Sequence, residues 1–248
     1  MEVQFIDHIK KNNLFDNSHN LLLAYSAGVD SSVLFNLLLN CKYKFSVAHC
    51  NYKLRGQHSD YDQKFIIEKA KIHKVKYHIR EFDISKINFK KSQSVQMKCR
   101  QLRYKWFNEL SKKYGYDFIL TAHHLNDSIE TFFINIFRGT GIEGLTGIPI
   151  KRDKFIRPLL FATKNSILEY AKKNDVHYRE DKSNESKNYK RNKIRSDLIP
   201  IISVISENYE EIFYKSFKNL KNLSDTYKYL VKLEIQKIMT KEFDLVYL

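Results

Sequence analysis

The 248 residues are 43% hydrophobic and 29% charged, and the net charge is +15. A chain of that size can bury one large core, or a core with an appendage, and it carries no internal repeat or low-complexity tract. No apolar run reaches membrane-span length, and the amino-terminal MEVQFIDHIKKNN lacks the shape of a secretory signal, so a cytoplasmic protein with no membrane partner is expected.

Taken in order, residues 1–15 read as an amphipathic helix, 21–25 as a strand and 30–39 as a helix. A second strand, 45–48, precedes a loop, 49–56. A helix follows at 60–73, a β-rich run at 75–82, a long helix at 94–114 and a buried strand at 117–122. Residues 127–138 form a helix with Ile129, Phe132, Phe133 and Ile136 on one face. Four of the seven glycines crowd into 139–147, which reads as a closely approached loop or a plain linker. Its Gly139, Gly141 and Gly144 match G-x-G-x-x-G literally, but they follow a helix, so the dinucleotide-binding reading fails. A turn at 156–160 leads into a helix at 164–174. Residues 178–195 are polar and basic, Pro200 marks a break, and 206–239 read as one or two amphipathic helices. Strands alternating with helices predict an α/β fold, a doubly wound, mostly parallel sheet over residues 1–200, with a short helical C-terminal appendage over 201–248.

The excess charge lies before residue 201, because 201–248 hold seven basic and seven acidic residues. Residues 151–195 alone hold fourteen basic against six acidic. Such a surface favours a polyanion, RNA or DNA, although a Lys- and Asn-rich codon bias would also give it. Cys41, Cys50 and Cys99 are odd in number, widely spaced and without a C-x-x-C pair, which argues against a disulfide framework and against a Cys-ligated zinc or iron–sulfur site.

The stretch LLLAYSAGVDSSVLF, residues 21–35, is the centre of the chain. Small residues at Ser26, Ala27 and Gly28 let a ligand approach the backbone, and the N–H groups opening the next helix suit a phosphate. Ser31 and Ser32 add hydroxyl donors, and Asp30 adds a carboxylate able to hold Mg2+ between phosphates. Neither a Walker A loop nor a dinucleotide fingerprint is present, and an ordinary capped turn is the alternative for this fragment alone. In a parallel sheet, ligands sit beyond the carboxyl ends of the strands. Three loops therefore converge there: 26–31, 49–55 and 123–127.

Ser-x-Gly-x-Asp-Ser after a strand resembles the signature of the PP-loop ATP pyrophosphatases. Joined by AHCNYKLRG at 48–56, CRQLRYKWF at 99–107, the run from 121 to 149 and DKSNESKNYKRNKIR at 181–195, the chain resembles the tRNA(Ile)-lysidine synthetases over about residues 20–200. The resemblance implies ATP and Mg2+, free L-lysine, and a tRNA(Ile) with a CAU anticodon, whose wobble cytidine is adenylated and then joined to lysine. It places the ATP phosphates on Ser26, Ala27, Gly28, Val29, Asp30 and Ser31, and the metal on Asp30 and Asp127. Arg191 and Arg195 join those two carboxylates as catalytic candidates. His49, Arg55, Arg100, Arg103, His124, Gly139, Gly141, Asn184 and Asn192 are expected to contact substrate or RNA. For Arg100 and Arg103, three apart on one helix face, a solvated basic stripe is the alternative.

Two positions depart from the family pattern: Ala27 stands where the second residue is usually Gly, and Asn126-Asp127 where two aspartates are usual. The region after Pro200 is also short for the family. The rival readings are a PP-loop tRNA thiolase, disfavoured by the cysteine spacing, and a tRNA-binding module without activity. A homodimer is compatible with the sequence.

Overall fold

The computed structural model describes residues 1–84, 94–179 and 190–245, with side chains to residue 238. Contacts divide the chain into two compact units, one of Met1–Leu125 and Pro149–Asn184, the other of Asn126–Ile148 and Glu185–Leu248.

The first unit is built on β1, Leu21–Ala24, whose unbroken apolar run marks a strand covered on both faces. It pairs in parallel with β2, Phe45–Asn51, and with β4, Phe118–Leu120. Adding β3, Tyr77–Glu81, and the hairpin of β5, Lys151–Arg152, and β6, Phe155–Ile156, gives a six-stranded sheet of order β3-β2-β1-β4-β6-β5. Only the β5–β6 pair is antiparallel. Alternation along β1 then sorts the helices. Leu21 and Leu23 join a core with α1 (Glu2–Lys11), α2 (Val29–Asn40), α3 (Gln57–Ile72) and α7 (Lys164–Lys173). Leu22 joins Trp106, Phe107 and Leu110 of α4 (Val95–Tyr114) on the opposite face. The expected doubly wound, mostly parallel α/β sheet is what forms.

Local differences from the sequence reading have physical causes. β2 runs three residues past Ala48, because β3 supplies partners for Val47 through Asn51, and His49 therefore lies in a strand rather than a loop. The turn expected at 156–160 begins instead as β6, paired through Ile119 and Leu120 to β4. Asp153, at φ 53°, makes the tight reversal from β5.

The second unit is helical. It contains α5 (Leu125–Ile136) from Asn126 onward, α6 (Ile142–Leu145), α8 (Lys190–Lys193), α9 (Ile199–Ile205) and α10 (Tyr209–Leu245). Phe132 and Phe133 of α5 meet Phe213 and Phe217 of α10 at ring-centroid distances of 5.5 to 5.7 Å, and these rings form its apolar centre. The glycine-rich stretch is not wholly loop, since α6 lies inside it. Pro200 is the second residue of α9, and because residues 190–205 are helical without interruption the break expected there does not form. A π-helical turn, Ile194–Leu198, joins α8 to α9. Among the described residues no helix is long and apolar enough to cross a membrane.

Candidate functional site

Within the first unit, the parallel registers Ala24↔Ala48 and Leu23↔Leu120 bring the ends of β1, β2 and β4 to one edge of the sheet. The loop from Ser26 to Gly28 leaves β1 there and turns into α2. Ala27 takes φ 70°, a left-handed backbone that an L side chain adopts at a cost, and its methyl is fully buried in the core. Serines tie the turn together. Ser31 Oγ lies 3.0 Å from Ser26 Oγ and donates to the Gly28 carbonyl at 3.0 Å, while the Ser26 N–H donates to Ser31 Oγ at 3.2 Å. Ser32 Oγ donates to the Ala27 carbonyl at 3.3 Å. Gly28 has φ −68° and is the N-cap residue, and Val29 and Asp30 open the first turn of the twelve-residue α2. Amide dipoles of that helix converge on this loop and favour an anion.

Asp30 is the loop's carboxylate. Lys164 Nζ donates to its Oδ1 at 2.5 Å, and the buried His124 holds Nε2 3.9 Å from the same oxygen. A cavity of about 160 Å3 opens beside it, lined by Ser26, Asp30, Ser31, Arg100, Arg103, Tyr104, Thr121 and His123 among others. The arginines of α4 expected to meet phosphate or RNA therefore share a cavity wall with the β1–α2 loop. Arg100 stacks over Tyr104 at 4.7 Å, and Arg103 donates through Nε to the Tyr52 hydroxyl at 3.3 Å. His123 Nδ1 lies 2.9 Å from Thr121 Oγ1.

Two other expected contacts in this unit are engaged elsewhere. His49 is buried with Nδ1 2.9 Å from the Tyr25 carbonyl, and burial pushes its pKa down, so it braces β2 against the end of β1 as a neutral ring. Arg55 donates to Asp62 at 2.6 Å, and Arg179 Nε donates to the other oxygen of the same buried carboxylate at 2.5 Å. The Arg179 N–H in turn donates to the Ala27 carbonyl at 2.9 Å, tying this cluster to the strained loop.

In the second unit, Asp127 occupies the first turn of α5, which begins two residues before the helix expected from residue 127. Three residues on, Glu130 is 2% exposed and faces two cations: Arg195 Nε donates to its Oε1 at 2.6 Å, and Arg191 Nε lies 3.2 Å from Oε2. Arg191 also donates to Thr131 Oγ1 at 2.9 Å. Arg191 and Arg195 are thus brought together by a buried acid. Asn192 lies on α8 between them. Asn126 donates to Glu210 at 2.6 Å. Gly139 adopts φ 69° and Gly141 is the N-cap of α6, both in open surroundings. Asn184 lies outside the described residues. Glu130, Asp62 and Lys164 are absent from the sequence-derived set. The i, i+3 spacing of Asp127 and Glu130 is a signal for the first; no local pattern marks the other two.

Among the described residues no cluster of three or more His, Cys, Asp or Glu side chains is placed to hold a metal ion. Mg2+ asks for less, because it is commonly held by one or two carboxylates together with substrate phosphates and water. Asp30 meets that demand in the β1–α2 loop, and the Lys164 ammonium at its oxygen marks the spot as one that takes positive charge.

A parallel sheet with this strand order, carrying a serine-tied loop and an acidic residue at the start of the helix after its first strand, defines the PP-loop class of α/β nucleotide-binding domains. The chain belongs to the PP-loop domain family, whose model matches residues 1–202. Within it the chain groups with the tRNA(Ile)-lysidine synthases. It is 36% identical over 230 residues to that of Chlorobaculum tepidum, covering 90% of this chain and 67% of the relative. It is 32% identical over 242 residues to that of Bacteroides thetaiotaomicron, covering 98% and 57%. With that of Clostridium perfringens it shares 38% over 207 residues, covering 82% and 44%. The chain spans about half the length of most of the curated relatives it matches.

Among solved structures the chain resembles the U34-tRNA thiolase NcsA from Methanococcus maripaludis, with a TM-score of 0.72 at 17% identity, covering 88% of this chain and 78% of that one. It also resembles the NH3-dependent NAD synthetase from Campylobacter jejuni, with a TM-score of 0.52 at 13% identity, covering 88% and 90%. Both likenesses show the fold.

Proposed function

We propose that the chain uses ATP to join free lysine to C2 of the wobble cytidine in a tRNA(Ile) with a CAU anticodon, in the cytoplasm. The observation that carries this reading is the shared cavity in which Ser26, Asp30 and Ser31 meet Arg100 and Arg103, in a chain whose relatives are named for lysidine synthesis. The cytosine O2 attacks the α-phosphate and pyrophosphate leaves. The lysine ε-amine then attacks C2, the C2–O bond breaks, and the oxygen departs with AMP. Adenylation is needed because a carbonyl oxygen on an aromatic base is a poor leaving group. The protein's part is positioning and charge neutralisation.

Ser26 to Ser31 receive the phosphates, and Asp30 is a ligand for Mg2+, which when bound neutralises phosphate charge. Arg100 and Arg103 meet phosphate or RNA across the cavity. Arg191 and Arg195, held by Glu130, present cationic groups to an RNA or nucleotide anion. Asp127 is the second carboxylate of the reaction. Asp127→Ala is expected to lower turnover by orders of magnitude with little loss of thermal stability, and an equal loss of both would count against this role.

A thiolase reading asks for reactive or cluster-binding thiols. Burial pushes the Cys50 thiol up to about 11, away from the thiolate that such chemistry uses. Radiolabelled ATP with and without lysine separates the readings: sulfur-dependent rather than lysine-dependent AMP release would favour the thiolase.

A further inference from the structure

Lys164 belongs to none of the motifs that mark the β1–α2 loop, yet its ammonium is 2.5 Å from the loop's carboxylate. Its backbone is fixed there by the fold. The Leu125 N–H donates to the Ala162 carbonyl at 2.9 Å, and His124 bridges to Leu159, so the segment entering α7 is anchored at the carboxyl end of β4. Thr163 caps α7 by accepting the Ser166 N–H at 3.1 Å, which sets Lys164 as the helix's first residue.

Lys164 and Asp30 side chains are 36% and 30% exposed, so water reaches the pair and screens what it contributes to folding. α7 is held to the core by Ile167, Tyr170 and Ala171. A lysine is a compact point charge on a flexible stem, suited to follow an anion rather than to grip one partner. It stands beside a loop whose serine hydroxyls and helix amides already favour phosphate.

We infer that Lys164 is a phosphate-binding residue: it rests on Asp30 in the nucleotide-free chain and moves onto the phosphate groups that leave as pyrophosphate. This rests on the proposed use of ATP. In the resting state Lys164 also supplies the internal counter-charge of Asp30, so it competes with a divalent cation for that carboxylate.

The test compares the whole chain with Lys164→Met and Lys164→Arg by calorimetric titration with inorganic pyrophosphate, ATP and Mn2+, none of which needs turnover. Losing a charge-assisted hydrogen bond weakens pyrophosphate binding by about tenfold or more in Lys164→Met, whereas Lys164→Arg keeps most of it. Mn2+ alone binds Lys164→Met more tightly than it binds the parent chain. Equal pyrophosphate affinity in Lys164→Met and the parent, or weaker Mn2+ binding in Lys164→Met, overturns the assignment while leaving ATP use standing. A parent chain that binds neither ATP nor pyrophosphate overturns both readings.

Discussion

Arg195 donates its Nε–H to the buried carboxylate of Glu130 at 2.6 Å, while Arg191 stands 3.2 Å from the other oxygen. Burial pushes the Glu130 carboxyl up, and the Arg195 hydrogen bond and charge oppose that shift. The Asp127 carboxylate is close enough for its charge to push Glu130 up as well, so both acids face the two arginines, whose side chains are 41% and 47% exposed. Glu130→Ala is expected to cost about 1–3 kcal/mol, below the range for a fully buried pair because the cations reach water. Glu130→Gln, which keeps the shape, should cost less than Glu130→Ala. Urea denaturation of both variants checks the order.

Ala27 combines φ 70° with a fully buried methyl. Changing it to Gly relieves about 1–2 kcal/mol of left-handed strain, and forfeits about 0.8 kcal/mol of burial together with backbone entropy. The two nearly cancel, so Ala27→Gly should shift stability by less than about 1 kcal/mol. Ala27→Val adds β-branched bulk where neither the backbone nor the core has room, and should cost more than about 2 kcal/mol. Chemical denaturation of the two variants checks both.

Asn126, which departs from the aspartate pair expected from the resemblance, donates to Glu210 at 2.6 Å. An aspartate would set two carboxylates against each other. Asn126→Asp should cost about 1–2 kcal/mol through the lost hydrogen bond and repulsion, and Glu210→Gln should restore much of it. A double-mutant cycle in urea measures the coupling.

His8 gives a pH signature. Burial against the Phe161 ring pushes its pKa down to about 4. The unfolded chain takes up the proton near 6.5 and the folded chain only near 4, so stability is full above pH 6.5 and falls as pH drops toward 4. The loss is on the order of 2 kcal/mol after allowing for partial exposure. His8→Gln should flatten this part of the stability–pH curve in thermal melts.

Much of the first unit is legible in the sequence because its signals are local. LLLA is a buried parallel strand, and the serine loop and Asp30 follow it directly. The long periodic segments around α4 and α5 likewise declare themselves. The rest depends on partners distant in the chain. β5 and β6 have two residues each and exist only because Ile119 and Leu120 offer an edge. His49 is strand because β3 pairs with it, and α6 is hidden among glycines that read as loop. In the candidate site the motif residues were visible, whereas the groups that hold them were not. Glu130 beneath the arginines carries only the signal of its i, i+3 spacing from Asp127, whereas Lys164 on Asp30 and Asp62 between Arg55 and Arg179 become meaningful only once the chain is folded.

The central claim is lysine transfer driven by ATP at the β1–α2 loop, and mass spectrometry of a CAU-anticodon isoleucine tRNA after incubation with the chain, ATP, Mg2+ and lysine tests it most directly. The account predicts a gain of one lysine less one water on the wobble cytidine, dependent on ATP and lost in Asp30→Ala. An unchanged tRNA from a folded chain that binds it, or sulfur in place of lysine, would contradict it.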